Sequence, residues 1–396
     1  MESDSGFSYA RTRIEIAGFV FLTFIGYLII GFSLATLPVF IHQTLGYSTV
    51  VAGVVISLQY ITTFFVRGYA GRIVDQQGPK QAVLRGLAVF SLSGLLLALA
   101  ASCRSYPALS LSVLVVARLV TGYAEGMVGV SPVNWAMLKV GTKHTSTAIS
   151  YNGIASYGAL AVGAPVGVIL EPYIGLSGLG ILIVAIGLGG FLLARSKEGL
   201  KEVSVTARQP FMKVLGKVSP FGICLALGGL GFGTISTFIT LYYQYNGWTN
   251  GALSLTVFGA LFVLGRVCFS HTIQRYGGLK VSVVSLAFET VGLMLLWMAK
   301  SPEAALIGAG ATGLGFSLIF PALGVEAVKR VSAANKGSAL AGYGLFIDIS
   351  LGITGPLVGT VADRLGMLSI FPFSMAIVFL GLLLCIYMLA FLKKEI

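Results

Sequence analysis

Runs of predominantly apolar residues, each long enough to cross a bilayer, recur along the whole chain. They lie at roughly 16–42, 47–72, 80–102, 107–137, 147–170, 176–195, 218–245, 250–273, 279–300, 303–328, 337–362 and 367–392. A helix of about 20 residues spans the hydrocarbon core of a membrane, so these runs predict twelve spans. Composition leaves little room for another reading. Hydrophobic residues make up 56% of the chain and charged residues only 10%, where a soluble domain carries about a quarter charged. The predicted fold class is an all-α integral membrane protein. The first segment, MESDSGFSYARTRIE, is polar, and the apolar run after it is too long for a signal sequence, so no cleaved leader is expected.

The basic residues sort by side. If both termini face the cytoplasm, 22 of the 26 Lys and Arg fall on the inner side, three (Arg104, Lys300, Arg364) fall outside, and Arg118 lies within a span. This is the positive-inside pattern. It accounts for the net charge of +12 through contact with the anionic inner leaflet of the lipid bilayer, with no nucleic-acid partner. The cysteines (103, 224, 268, 385) are isolated and read as packing residues. The histidines (42, 144, 271) do not cluster, so neither metal nor cofactor is expected.

The two halves repeat. A shift of 199 places Arg67 on Arg266, Asp75 on Gln274 and Gly78 on Gly277, while Pro165 of GAPVG and Pro356 of GPLVG are 191 apart. Between the halves lies the longest polar stretch, RSKEGLKEVSVTARQPFMKVLGKV. The expected division is a six-helix bundle over 1–194, a cytoplasmic linker over 195–217 and a second six-helix bundle over 218–396, related by a pseudo-twofold axis. Paired halves with a site between them near the midplane are a transporter architecture.

Over its whole length the chain resembles transporters of the major facilitator superfamily. GRIVDQQGPK resembles the signature that follows the second span, RLVTG (118–122) that of the fourth, and GALAVGAPVG (158–167) the fifth-span signature of drug/proton antiporters. Longer stretches, including GVVISLQYITTFFVRGYAGR and YNGIASYGALAVGAP, are similar to the YfcJ/YhhS-type branch of efflux permeases. Gln76 and Pro79 depart from the first signature, and Gly71, Asp75, Gly78 and Lys80 survive. The resemblance implies that these four form a conformational gate latching the halves on the cytoplasmic side; a static tight turn is the alternative. It also implies the inner membrane of a bacterium, and a complete pair of halves in one chain points to a monomer.

Ionisable residues inside spans are costly and are functional candidates. Arg118 and Glu125 share a face of the fourth span but stand too far apart to pair. Asp348 shares a face with Gly352, Gly355 and Gly359. Glu326 lies near Lys329 and Arg330. Asp348, Glu125, Arg118 and Glu326 are therefore the proton-coupling candidates, with structural hydrogen bonds or ion pairs as the competing reading. Glu289, in the ninth span, is read as serving packing or a local partner. Aromatic and hydroxyl side chains supply the substrate-binding candidates: Phe232, Ser236, Thr240 and Tyr243 in the seventh span, Asn152 and Tyr157 in the fifth, and Gln59 and Tyr60 in the second. Gly163, Pro165, Gly167, Gly355, Pro356 and Gly359 are expected to pack or bend their helices.

No nucleotide-binding loop is present, nor are clustered motifs for a membrane enzyme, and the loops are too short for a receptor domain. The expected function is secondary active transport by alternating access: proton antiport exporting a small organic molecule (drug, sugar, amino-acid derivative or metallophore). Proton symport or facilitated import is the alternative.

Overall fold

The computed structural model describes residues 9–141, 144–200, 211–331 and 336–391. Regular structure among these residues is helical, with no strand. Eleven helical stretches are long and apolar enough to cross a membrane, and one of them, Thr147–Ser196, is two helices joined end to end. In chain order the helices are α1 (Tyr9–Leu34), α2 (Thr49–Gln77), α3 (Pro79–Ser102), α4 (Pro107–Val140), α5 (145–174), α6 (176–196), α7 (Phe211–Tyr245), α8 (Gly251–Phe269), α9 (Gly278–Met298), α10 (Pro302–Lys329), α11 (Lys336–Leu365) and α12 (Ile370–Phe391).

Between α5 and α6 the chain reverses at Gly175, whose φ of 66° is left-handed. Packing shows the reversal. Asn152 on α5 meets Thr23 on α1, and Gly190 on α6 packs against Ile25 of the same helix. The RGYAGRIVDQQGPKQAV segment is helical through Gln77, five residues past the expected end of the span. Only Gly78, at φ 90°, breaks it, and Gly277 repeats the break at φ 87° before α9. Likewise α7 begins at Phe211, inside the stretch read as linker, of which 201–210 lie outside the described residues.

Each bundle holds its own apolar core. Leu22, Ile29, Leu87 and Phe90 belong to the first, and Leu225, Phe238, Leu286 and Leu293 to the second. Side chains such as Phe65, Ile181, Leu192, Val267 and Ile307 stay exposed on the outer faces, as a lipid-facing surface requires. α4 and α10 both break near the middle, at Gly129–Val130 and Ser317–Leu318. Each break lies just ahead of a proline, Pro132 or Pro321, which withholds an N–H from the helical ladder. The freed carbonyls are capped from neighbouring helices. Asn152 Nδ2 donates to Gly129 O at 3.3 Å, and Arg266 Nε donates to Ser317 O at 3.2 Å.

The bundles meet along α2 with α11 and α5 with α8. At the end carrying the α1–α2 connection they are fastened together. Gln43 Nε2 donates to Gln244 Oε1 at 2.6 Å, Thr49 donates to Asp363, and Gly53 lies backbone to backbone with Gly355. At the other end, which carries the basic loops, the α2 surface at Gly68 and Gly71 faces open space.

Candidate functional site

The centre of the molecule has a polar wall, built on α2. Gln59, Thr63 and Arg67 recur every four residues and so share one face of the helix. Gln59 Nε2 donates to Glu125 Oε2 at 2.8 Å, and Thr63 Oγ1 lies 3.0 Å from the same oxygen. One turn further, Arg67 grips both oxygens of Asp348, with Nη2 donating to Oδ1 at 2.8 Å and Nε to Oδ2. Asp348 is 3% exposed and the Arg67 side chain 14%. The two-pronged geometry suits a guanidinium and a carboxylate. A turn rises about 5–6 Å, so two carboxylates sit one layer apart along α2, Glu125 on α4 of the same bundle and Asp348 on α11 of the other.

The second bundle supplies an aromatic wall. Tyr157 of α5 packs on Phe262 and Phe316 at ring-centroid distances of 4.4 and 5.9 Å. Phe232 stacks on Phe258 at 5.4 Å and on Phe316 at 5.5 Å. Arg266 closes this cluster, its guanidinium 5.1 Å from the Phe262 ring centroid and 5.9 Å from that of Tyr157.

The two walls are the same construction with different side chains. Adding 199 takes Gln59, Thr63 and Arg67 to Phe258, Phe262 and Arg266, and adding 191 takes Gly122, Glu125, Gly153 and Tyr157 to Gly313, Phe316, Gly344 and Asp348. Contacts obey this mapping. Gly122 abuts the Gln59 carbonyl as Gly313 abuts that of Phe258, and Arg67 lies over Gly344 as Arg266 lies over Gly153. An amide, a hydroxyl and a carboxylate in the first bundle therefore stand where the second has three phenyl rings. The ion pair Arg67–Asp348 corresponds to a cation–π contact, Arg266 over Tyr157.

Several residues expected at the site are here. Glu125, Asp348, Gln59, Tyr157 and Phe232 line the two walls, and Tyr60 is buried beside them against Gly352 of α11. Asn152 accepts from Thr23 Oγ1 at 2.7 Å and caps the α4 break. Ser236 turns back to its own helix, donating to Gly233 O at 3.1 Å, and Thr240 donates to Ala35 O at 3.4 Å across the bundles. Arg118 stands apart from both carboxylates, inside the first bundle.

Other expectations need correction. Tyr243 is not at the centre; its hydroxyl donates to Pro302 O at 3.0 Å and accepts from Ser254, while its ring packs on Trp248 at the far end of α7. Glu326 is a cap for α9, accepting from Gly278 N at 2.8 Å and pairing with Lys329 at 2.9 Å. Lys80 does not reach the other bundle. It donates to the carbonyls of Arg195 and Lys197 at the C-terminus of α6, the favoured place for a cation. Gly71 makes no close approach, and Gly78 provides the turn itself. The Asp75 side chain lies outside the described residues. Gly163 and Gly167 pack on α1 at Gly31 and Phe32, while Gly355 and Gly359 pack on α2 at Gly53 and Thr49. Pro165 and Pro356 lie within continuous helix.

Arg67 and Arg266, counted from sequence among the inner basic residues, lie in the body of the molecule. Their recurrence at a spacing of 199 was the available signal. The three phenylalanines of the aromatic wall carried none, since Phe is common in apolar runs.

A model of the Major Facilitator Superfamily matches residues 19–267 and again 221–395. The chain belongs to this superfamily and is a secondary transporter of its type, an integral membrane protein. It is 51% identical over 376 residues to an uncharacterized MFS-type transporter of Pseudomonas aeruginosa (strain UCBPP-PA14), covering 95% of this chain and 93% of that one. A Burkholderia mallei (strain SAVP1) relative of the same description is 50% identical over 360 residues, covering 91% and 88%. Among solved structures, the nucleoside transporter NupG superposes with a TM-score of 0.76 at 15% identity, covering 95% of this chain and 99% of that one. A POT family transporter gives 0.76 at 12% identity, covering 96% of each. These structures share the fold.

Proposed function

We propose that the protein exports a small organic molecule in exchange for protons, by alternating access. The observation that carries this reading is the Arg67–Asp348 pair, a salt bridge that ties α2 of one bundle to α11 of the other, with Glu125 of α4 held about one turn away against the same face of α2. A proton arriving on Asp348 removes the charge that holds Arg67. The guanidinium is then free to meet water or substrate, and α2 can part from α11. Loss of the proton restores the pair. Proton and substrate thus compete for one conformational cycle.

The polar and aromatic walls favour a molecule with a flat apolar part and a polar or charged group. The fastened contacts at Gln43–Gln244 and Thr49–Asp363, with open space at Gly68 and Gly71, fit a conformer closed on the outer side. On this reading the basic loops and both termini are cytoplasmic, the membrane is the bacterial inner membrane, and residues 1–194 and 218–396 rock as two bodies of a monomer. Export is favoured by GALAVGAPVG and its likeness to the fifth-span segment of drug/proton antiporters.

The test is internal pH in sealed proteoliposomes as pools of metabolites and drugs are added, with wild type beside Asp348→Asn and Glu125→Gln. A pool that drives proton movement opposite to its own, abolished by a carboxylate variant, supports antiport. Movement in the same direction selects symport. Solute crossing with no pH change sinks proton coupling.

A further inference from the structure

Among the described residues, Arg118 is a buried cation with neither a carboxylate nor an aromatic ring against it. It is 1% exposed. Its Nη1 donates to Ser33 Oγ at 3.2 Å, but Nε and Nη2 have no protein partner. Glu125 lies seven residues further along α4, a rise of about 10 Å, and its Oε2 is already held by Gln59 and Thr63. A desolvated charge of this kind needs an opposite charge close by.

The guanidinium lines a small cavity inside the first bundle, bounded by Ser33 of α1, Ser93 of α3, Thr121 of α4 and Ile183 of α6. Every lining residue belongs to that bundle, so the cavity is separate from the groove between the bundles. Its hydroxyls now face helix carbonyls, Ser93 to Phe90 O at 2.7 Å and Thr121 to Ala117 O at 2.8 Å, and a hydroxyl can rotate to donate elsewhere. The remaining lining is apolar, with Ile29, Leu37 and Leu97. Such a space suits a compact, weakly hydrated ion and excludes an organic acid.

We propose that this cavity binds a small monovalent inorganic anion of the halide class, held by the free Nε and Nη2 of Arg118. The bound ion neutralises the guanidinium and ties α4 to α1 and α3, so binding and folding of the first bundle are linked.

The test uses the purified full-length protein in detergent. Thermal unfolding is followed as sodium gluconate is replaced by chloride or bromide at constant ionic strength. The expected result is a saturable rise in Tm of a few degrees with either halide, lost in Arg118→Gln, and a bromide anomalous peak within hydrogen-bond distance of Arg118 in a crystal. Identical unfolding in gluconate and halide would overturn the proposal and leave a water in the cavity. A halide effect that survives Arg118→Gln, or a bromide peak elsewhere, would also overturn it. If Arg118→Gln does not fold, the bromide crystal of the wild-type protein decides.

Discussion

At the centre of this transporter, matching positions of the two bundles carry opposite chemistry. The first presents Gln59, Thr63, Glu125 and Arg67; the second presents Phe258, Phe262, Phe316 and Arg266. Both arginines cross to the other bundle and lie over a glycine, Gly344 or Gly153. What differs is the group beneath. Arg67 meets a carboxylate that can accept a proton, and Arg266 meets an aromatic ring that does not change charge. A duplicated scaffold thus holds one contact able to respond to protons and one that stays closed to them.

The largest test of this contrast removes one arginine at a time. Arg67→Gln leaves Asp348 buried and unpaired and should cost about 3–5 kcal/mol of stability. The double variant with Asp348→Asn should recover most of that loss. Arg266→Gln removes a cation–π contact and the hydrogen bond to Ser317 O, and should cost less, about 2–3 kcal/mol. Chemical or thermal unfolding of the three proteins compares them, and equal losses for the two single variants would break the asymmetry.

A smaller effect separates the two glycines. A Cβ on Gly153 would run into Arg266 Nη1, whereas one on Gly344 would sit 3.8 Å from Arg67 Nη1. Gly153→Ala should therefore push the Arg266 guanidinium away from Ser317 and cost about 1–2 kcal/mol. Gly344→Ala, inside a helix with room for the methyl group, should instead raise stability by about 0.5–1 kcal/mol. Parallel melts of the two alanine variants read out the difference.

Glu125→Gln keeps the shape of the polar wall. It should cost about 1 kcal/mol in stability yet lower proton-coupled transport on the order of tenfold. Flux in proteoliposomes, beside a melting curve, separates the two effects. Least affected should be Glu326→Gln. It weakens an α9 cap and a partly exposed ion pair, for about 0.5 kcal/mol, with transport unchanged in the same flux assay.

Much of the architecture was legible in the sequence because lipid demands long apolar helices, and their ends are marked by charge. Twelve spans follow from that pattern, and the Gly175 reversal that splits Thr147–Ser196 fell where two runs had been separated. Glu125 and Asp348 stood out because a carboxylate is rare in such runs. Arg67 did not, because charge sorting counted it with the basic residues at the inner end of the second span; its depth depends on α2 remaining helical to Gln77. Tyr243 was misplaced for a related reason. Periodicity gives the face of a helix but not the depth at which that face leaves the centre. The aromatic wall was hidden because three phenylalanines become a site only when Tyr157 and Arg266 are brought to them across the bundle interface.

The most direct test of the central claim is proton movement through the Arg67–Asp348 contact. Internal pH would be recorded in proteoliposomes loaded with one transported pool, for wild type, for Asp348→Asn and for the double variant Arg67→Gln with Asp348→Asn. Proton movement with substrate in the wild type, and substrate exchange without it in both variants, is the predicted result. Undiminished proton movement in Asp348→Asn would contradict the account and return the ion pair to a purely structural role.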